Sequence, residues 1–218
     1  MSNDRYPVLV DGVRSPIGRK DGGMIGMLPD DLASEVVKAL LERNSFIPIE
    51  SIEDLVLGCA FPEGPQGMLL GRAVSLLSGI PKESCAKVVN RFCGSSMDSV
   101  HQVSQAILSG DIDVGIAAGV EDMFSVPMGG FAPSFNPTLY EQEFYIGMGE
   151  TAENLANELS ISREDQDTFS INSHKKTLAA WDSGKFDNEV VPIKFNNCIV
   201  SKDECPREPD VDKIKSLD

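Results

Sequence analysis

The residue best placed to do chemistry is Cys93, in the run Val89-Asn90-Arg91-Phe92-Cys93-Gly94-Ser95-Ser96-Met97. Upstream, Cys85-Ala86-Lys87-Val88-Val89 is short and partly β-branched and reads as a strand. Downstream, Met97, Val100, Val103 and Ile107 share one face of a helix. Cys93 is therefore expected on a sharp strand-to-helix turn, at or beside the helix N-terminus. Unpaired N–H groups and the positive end of the helix dipole converge there and favour a thiolate nucleophile. Gly94 and the small Ser95 and Ser96 leave the sulfur approachable and can cap the first turn. An isolated cysteine is more often a small buried hydrophobe, so position alone does not decide between nucleophile and core.

The elements that would hold this turn follow from the rest of the first 120 residues. Pro7–Gly12 reads as a buried opening strand, followed by a Gly/Pro loop over Val13–Arg19. Asp30 and Asp31 open a helix with Leu32, Val36, Leu40 and Leu41 on one face and Arg43 at its end, in keeping with the helix dipole. A second strand spans Leu55–Ala60, and a short apolar helix runs from Leu69 to Ser78 and stops at Gly79. The third strand and the cysteine helix come next, then a fourth strand, Val114–Val120. That strand is so rich in Ala and Gly that something must pack tightly on its backbone. Strand and helix alternating in this way predict an α/β fold, a mostly parallel sheet covered by helices. No glycine fingerprint of a dinucleotide site follows the first strand, and no phosphate-binding loop occurs.

After Glu121 the texture changes. Residues 123–145 are rich in Pro, Gly, Phe and Met without a period, which favours a packed binding segment. A short helix is expected over Thr151–Leu159. Ser162-Arg163-Glu164-Asp165 has the form of a capping box and opens a helix that ends at Gly184, with Ile171, Leu178 and Trp181 on its inner side. Val190-Val191-Pro192-Ile193 starts a strand.

Composition narrows the function. With 218 residues, 41% of them hydrophobic, the chain can build one sizeable core or two small domains. A formal net charge of −15 argues against nucleic-acid and membrane-surface partners. An anionic substrate would need local Lys or Arg against that field. Five cysteines without paired spacing and two histidines form neither a disulfide framework nor a zinc-ligand pattern, so no metal is expected. Free thiols suit a reducing compartment, and neither an apolar leader nor a membrane-length run is present, which predicts a soluble, cytoplasmic protein.

The run Asn90-Arg91-Phe92-Cys93-Gly94-Ser95-Ser96-Met97 resembles the acyl-enzyme signature of the thiolases. Ile146-Gly147-Met148-Gly149-Glu150-Thr151-Ala152-Glu153-Asn154 resembles that family's Met-Gly-x-Thr-Ala-Glu element, and Ser162–Asp167 and Asn188–Pro192 are also family-like. The resemblance extends from about Val8 to Asp218. It implies an N-terminal α/β domain over residues 1–121 and an inserted, largely helical loop domain over 122–218 that covers coenzyme A, with the family's C-terminal domain absent. It further implies that Cys93 carries the acyl thioester, that Met148 lines the acyl pocket, and that Arg207 lies near the nucleotide end of coenzyme A. Coenzyme A and acyl-CoA would be substrates, and no resident cofactor is implied. Gly147 stands where acetoacetyl-specific relatives carry histidine, which tilts the resemblance toward the degradative 3-ketoacyl type, hence fatty-acid β-oxidation.

The family's other catalytic groups, a Gly-His-Pro histidine, an Asn-Glu-Ala asparagine and a second cysteine, belong to the C-terminal half. His101 lies eight residues beyond Cys93, roughly 12 Å along the helix axis, and His174 sits in a polar helix. Neither is expected to serve as base. Without a further strand the fourth strand is expected to be an open edge. The chain is thus expected to act as a nucleophile-bearing half that pairs with a separate C-terminal half or forms a homodimer. The alternative is a non-catalytic relative that binds acyl-CoA or pairs with a full-length thiolase.

Overall fold

In the computed structural model, which describes residues 5–217, the chain divides into two compact units. One comprises residues 1–131 and 188–204, the other 132–187 and 205–218. These units do not follow the boundary at residue 121 expected from the sequence. Residues 122–131 stay with the sheet, where the Phe131 N–H donates to Glu63 (3.0 Å), and residues 188–204 return to it, where Arg14 binds Glu189 (2.7 Å) and Asp203 (2.7 Å).

The first unit is built on a parallel three-stranded sheet in the order β2-β1-β3, with β1 at Asp54–Gly58, β2 at Cys85–Val89 and β3 at Gly115–Gly119. Gly58 is opposite Val89 on one side and Gly119 on the other. The helices are α1 (Pro29–Arg43), α2 (Leu70–Leu77) and α3 (Ser95–Ser109). Leu55, Leu57, Leu70, Val74, Val37 and Ile116 belong to one buried cluster, so β1 is the spine of the core. A hairpin of β4 (Ile193–Phe195) and β5 (Cys198–Val200) follows the return from the second unit. Strand β3 has a pairing partner on one side only among the described residues, as expected of an open edge.

Three sequence expectations are corrected. The opening strand does not form: Val8, Leu9 and Val10 are 75%, 87% and 59% exposed and outside any ladder. The segment is instead held at its ends. Arg5 donates to Ile107 O (2.8 Å) and Ile112 O (3.1 Å), while Asp11 accepts from Arg43 Nε (2.6 Å) and Asn44 Nδ2 (2.7 Å). In α1 the buried residues are Pro29, Ala33, Ser34 and Val37, with Leu41 packed on the core, so the inner face is rotated away from Leu32 and Val36. In α3 the buried residues are Ser95, Asp98, Ser99 and Val103, while Met97 and Val100 are exposed. The helix turns its small side inward because the strands beneath it are glycine-lined. A Cβ on Gly58 would collide with the Ser95–Ser96 backbone, one on Gly119 with the Ser96 side chain, and one on Gly115 would come within 3.0 Å of Val103 Cγ1. Tight packing on the Ala/Gly-rich strand is thus borne out, and α3 is what packs there.

The second unit contains α4 (Pro137–Glu141), α5 (Met148–Glu158), α6 (Arg163–Asp182) and α7 (Val211–Lys215). The Ser162–Asp165 capping box opens α6 as expected: Ser162 Oγ accepts from the Asp165 N–H (3.1 Å), and Asp165 accepts from the Ser162 N–H (3.2 Å). Ile171, His174, Leu178 and Trp181 form the less exposed stripe of α6, and Gly184 lies past its end at φ +71°. The Pro/Phe-rich segment is ordered around Tyr145, whose ring meets Phe135 at 4.9 Å and Phe144 at 5.1 Å. None of the described residues of this unit is buried. Among the described residues no helix is long and apolar enough to cross a membrane.

Candidate active site

Cys93 lies between the end of β2 and the N-cap of α3, Gly94, and is exposed. The turn is short because Phe92 adopts a left-handed backbone, φ +45°, a conformation that costs a non-glycine residue energy and persists only when its surroundings hold it. Ser95 does part of the holding: its hydroxyl accepts from the Arg91 N–H (2.9 Å) and donates to Phe92 O (2.6 Å). Asn90 does more, accepting the Phe92 N–H at Oδ1 (2.9 Å) while its Nδ2 donates to Ala60 O on the neighbouring turn (2.8 Å). Ser95 and Ser96 were expected as caps, yet no side chain caps α3. Ser95 closes the turn instead. Arg91 pairs with the buried Asp98 of the first helical turn (3.3 Å) and Asp98 also accepts from Gln102 (2.9 Å), which ties the turn to the start of α3.

The neighbouring turn after β1 carries a second cysteine in opposite circumstances. Cys59 is 1% exposed, and burial, with the nearby Glu121 charge (Sγ to Oε1 3.7 Å), pushes its thiol up to about 12. It is an inert core thiol. Glu121, just past β3, accepts from the Ala60 N–H (2.6 Å), the Phe61 N–H (3.2 Å) and the fully buried Gln66 (3.0 Å). Gln66 in turn donates to Phe61 O (2.9 Å) and accepts the Asp122 N–H (2.5 Å). Glu121, Gln66 and the role of Asn90 escaped sequence reading. The only available signal was a polar residue following each of two apolar strands.

Met148 is the first residue of α5 and is exposed. Arg207 lies in the second unit beside α6: its N–H donates to His174 Nδ1 (3.4 Å), and together they line a cavity of about 620 Å³ with Arg163, Ser170 and Lys213. His174, expected to be solvated, is half-buried through this contact. His101 is exposed on α3. Among the described residues no group of three or more His, Cys, Asp or Glu side chains is placed to hold a metal ion.

The fold is a parallel α/β sheet whose second strand is followed by an exposed cysteine beside a helix N-terminus, and comparison with known proteins specifies its family. The thiolase N-terminal domain matches residues 7–218, and the chain belongs to that family. It is 39% identical over 204 residues to a 3-ketoacyl-CoA thiolase of Bacillus subtilis, covering 92% of this chain and 52% of that protein. It is 38% identical over 211 residues to a β-ketoadipyl-CoA thiolase of Escherichia coli, covering 88% and 53%. A 3-ketoacyl-CoA thiolase of Marinobacter nauticus is 41% identical over 194 residues, covering 88% and 50%. The chain spans about half the length of the curated relatives it matches.

Proposed function

We propose that this chain is the nucleophile-bearing half of an acyl-CoA C-acyltransferase that cleaves or forms 3-ketoacyl-CoA. The observation that carries the reading is Cys93, exposed at the N-terminus of α3 within a chain of the thiolase family. In the cleavage direction the Cys93 thiolate attacks the C3 carbonyl of a 3-ketoacyl-CoA, and the tetrahedral oxyanion collapses with rupture of the C2–C3 bond. The acyl group remains on sulfur as a thioester, and acetyl-CoA leaves as its enolate, which takes up a proton. The thiolate of free coenzyme A then attacks the thioester, releases the shortened acyl-CoA and returns the Cys93 thiolate. The backbone N–H of Cys93 supplies one oxyanion donor, since those of Gly94 and Ser95 already donate to Arg91 O (3.0 Å) and Phe92 O (3.0 Å).

Proton transfer needs an acid/base that this chain does not offer at Cys93: His101 is exposed eight residues along α3, and His174 belongs to the second unit with Arg207. A separate C-terminal thiolase half supplies it; a second copy in a homodimer would cover the exposed turn but brings only the same two histidines. The exposed apolar side chains of Phe92, Met97 and Val100 around the turn support such association. Arg207 faces the nucleotide end of coenzyme A, a role that rests on its place in the family pattern, since its cavity balances Arg163 and Lys213 against Glu153, Asp167 and Asp210, with Arg163 paired to Asp167 (2.8 Å). Met148 lines the acyl pocket. Coenzyme A and acyl-CoA are substrates, and no resident cofactor takes part; five cysteines without a disulfide support a reducing cytoplasm, and the likeness to 3-ketoacyl-CoA thiolases supports a place in fatty-acid degradation. The non-catalytic reading, an acyl-CoA binder or partner of a full-length thiolase, is favoured by the position of the two histidines.

Intact mass spectrometry after exposure to acetyl-CoA or a longer acyl-CoA tests the proposal. One acyl group added, and absent in Cys93→Ser, supports the enzyme half. No adduct on the folded chain, and none after addition of a relative's C-terminal half, overturns it in favour of the binder.

A further inference from the structure

The turn that presents Cys93 is not held by its own residues alone. Phe92, the residue before Cys93, is left-handed, and its N–H is taken by Asn90 Oδ1 (2.9 Å). The other end of the Asn90 amide grips Ala60 O (2.8 Å), and the N–H of the same Ala60 residue is gripped by Glu121 Oε2 (2.6 Å). Glu121 is fixed in turn by the Phe61 N–H and by Gln66, which has no exposed surface. Phe61 and Phe92 touch with ring centroids 5.8 Å apart. A line of charge-assisted and neutral hydrogen bonds thus runs from the end of β3, through Ala60 beyond β1, to the residue that precedes the sulfur. A carboxylate spent on two backbone N–H groups and a buried amide is stronger than its neutral counterpart would be, and it leaves little slack in the loop it holds.

We propose that Glu121 and Asn90 are positioning residues for Cys93, acting in series through Ala60 to hold the left-handed Phe92 and so aim the thiol along the N-terminus of α3. This rests on Cys93 being the acyl acceptor. Glu121 makes no hydrogen bond to the sulfur's turn itself; its hydrogen-bonded route to that turn runs through Ala60 and Asn90, beside the ring contact of Phe61 with Phe92. Release of either grip lets Phe92 relax toward ordinary backbone and leaves the Cys93 side chain less firmly presented at the start of α3.

The test is a double-mutant cycle on the full chain with Glu121→Gln and Asn90→Ala, read by iodoacetamide labelling of Cys93 across pH with peptide-level mass spectrometry. Each variant is expected to slow Cys93 labelling by about tenfold, while Cys85, Cys198 and Cys205 label as in the parent. The double variant is expected to match the more severe single one, because the two act on one line of contacts. Multiplied effects in the double variant, or unchanged Cys93 profiles in folded single variants, overturn the proposal. If Glu121→Gln does not fold, Asn90→Ala against Asn90→Asp decides. The aspartate keeps the oxygen for Phe92 but loses the donor to Ala60, so labelling as in the parent would overturn the relay through Ala60. Labelling does not require acyl transfer. A chain that never acylates yet obeys this cycle loses the enzyme reading and keeps the positioning device.

Discussion

Two neighbouring strands of one parallel sheet end one residue before a cysteine and four residues before another, and the two thiols have opposite fates. Past β1 the chain takes a wide loop before α2, so Cys59 stays in the core, where burial first and the Glu121 carboxylate second keep it protonated. Past β2 the chain reaches α3 within six residues through a left-handed Phe92, and Cys93 is left outside. Length of turn, more than residue type, separates a buried thiol from an exposed one. The same network serves both, since Glu121 closes the Cys59 loop and, through Ala60 and Asn90, steadies the Cys93 turn.

The sharpest way to break this comparison is to exchange the cysteines' roles. Cys93→Ser is expected to abolish acyl-adduct formation completely, whereas Cys59→Ser, Cys85→Ser, Cys198→Ser and Cys205→Ser each retain it, as judged by intact mass. An adduct surviving in Cys93→Ser would show that the exposed turn is not the reactive one.

Next in size is the glycine floor. Gly58→Ala places a Cβ against the Ser95–Ser96 backbone, which cannot give without moving the start of α3. A loss of about 3 kcal/mol in urea unfolding is expected. Gly119→Ala meets the Ser96 hydroxyl, which can rotate, and Ser96 Cβ at 2.8 Å, which cannot, and should cost about 2 kcal/mol. Equal costs at the two sites would mean that α3 is free to slide.

A pH titration sharpens the contrast between the thiols. Because the folded protein holds Cys59 protonated up to about 12 against an ordinary value of 9.0, the unfolded chain loses this proton first. Its contribution is therefore complete below pH 9 and declines as pH rises from 9 toward 12. Cys59→Ala should flatten that alkaline decline, followed as urea midpoint against pH, and Cys59 should resist iodoacetamide at pH 9 while Cys93 is labelled. The smallest effect is expected at the ring contact joining the turns: Phe92→Leu should lower stability by about 0.5 kcal/mol. A loss above about 2 kcal/mol would assign the hold on the turn to this contact rather than to hydrogen bonds.

The two compact units differ as instructively. The first buries Leu55, Leu57, Leu70 and Val74 almost completely around β1, whereas no described residue of the second is buried, although α6 alone is 20 residues long. A capping box and a glycine stop define such a helix locally; an apolar core is what would make it independent.

Local chemistry was legible in advance. Alternating apolar strands and capped helices announced the α/β sheet, Ser162–Asp165 and Gly184 bounded α6, and the small residues flanking Cys93 marked a strand-to-helix turn. These depend on neighbours a few residues apart, which sequence records directly. Tertiary packing decided the rest. Val8–Val10 has every mark of a strand but lies outside any ladder, because a strand exists only when another chain segment satisfies its backbone. Met97 and Val100 looked inward by period but face out, because glycines on β1 and β3 draw the serine side of α3 down onto the sheet. Glu121 and Asn90, more than 30 residues apart, became partners of one Ala60 only when three strands aligned their ends, and no periodicity in either segment encodes that meeting.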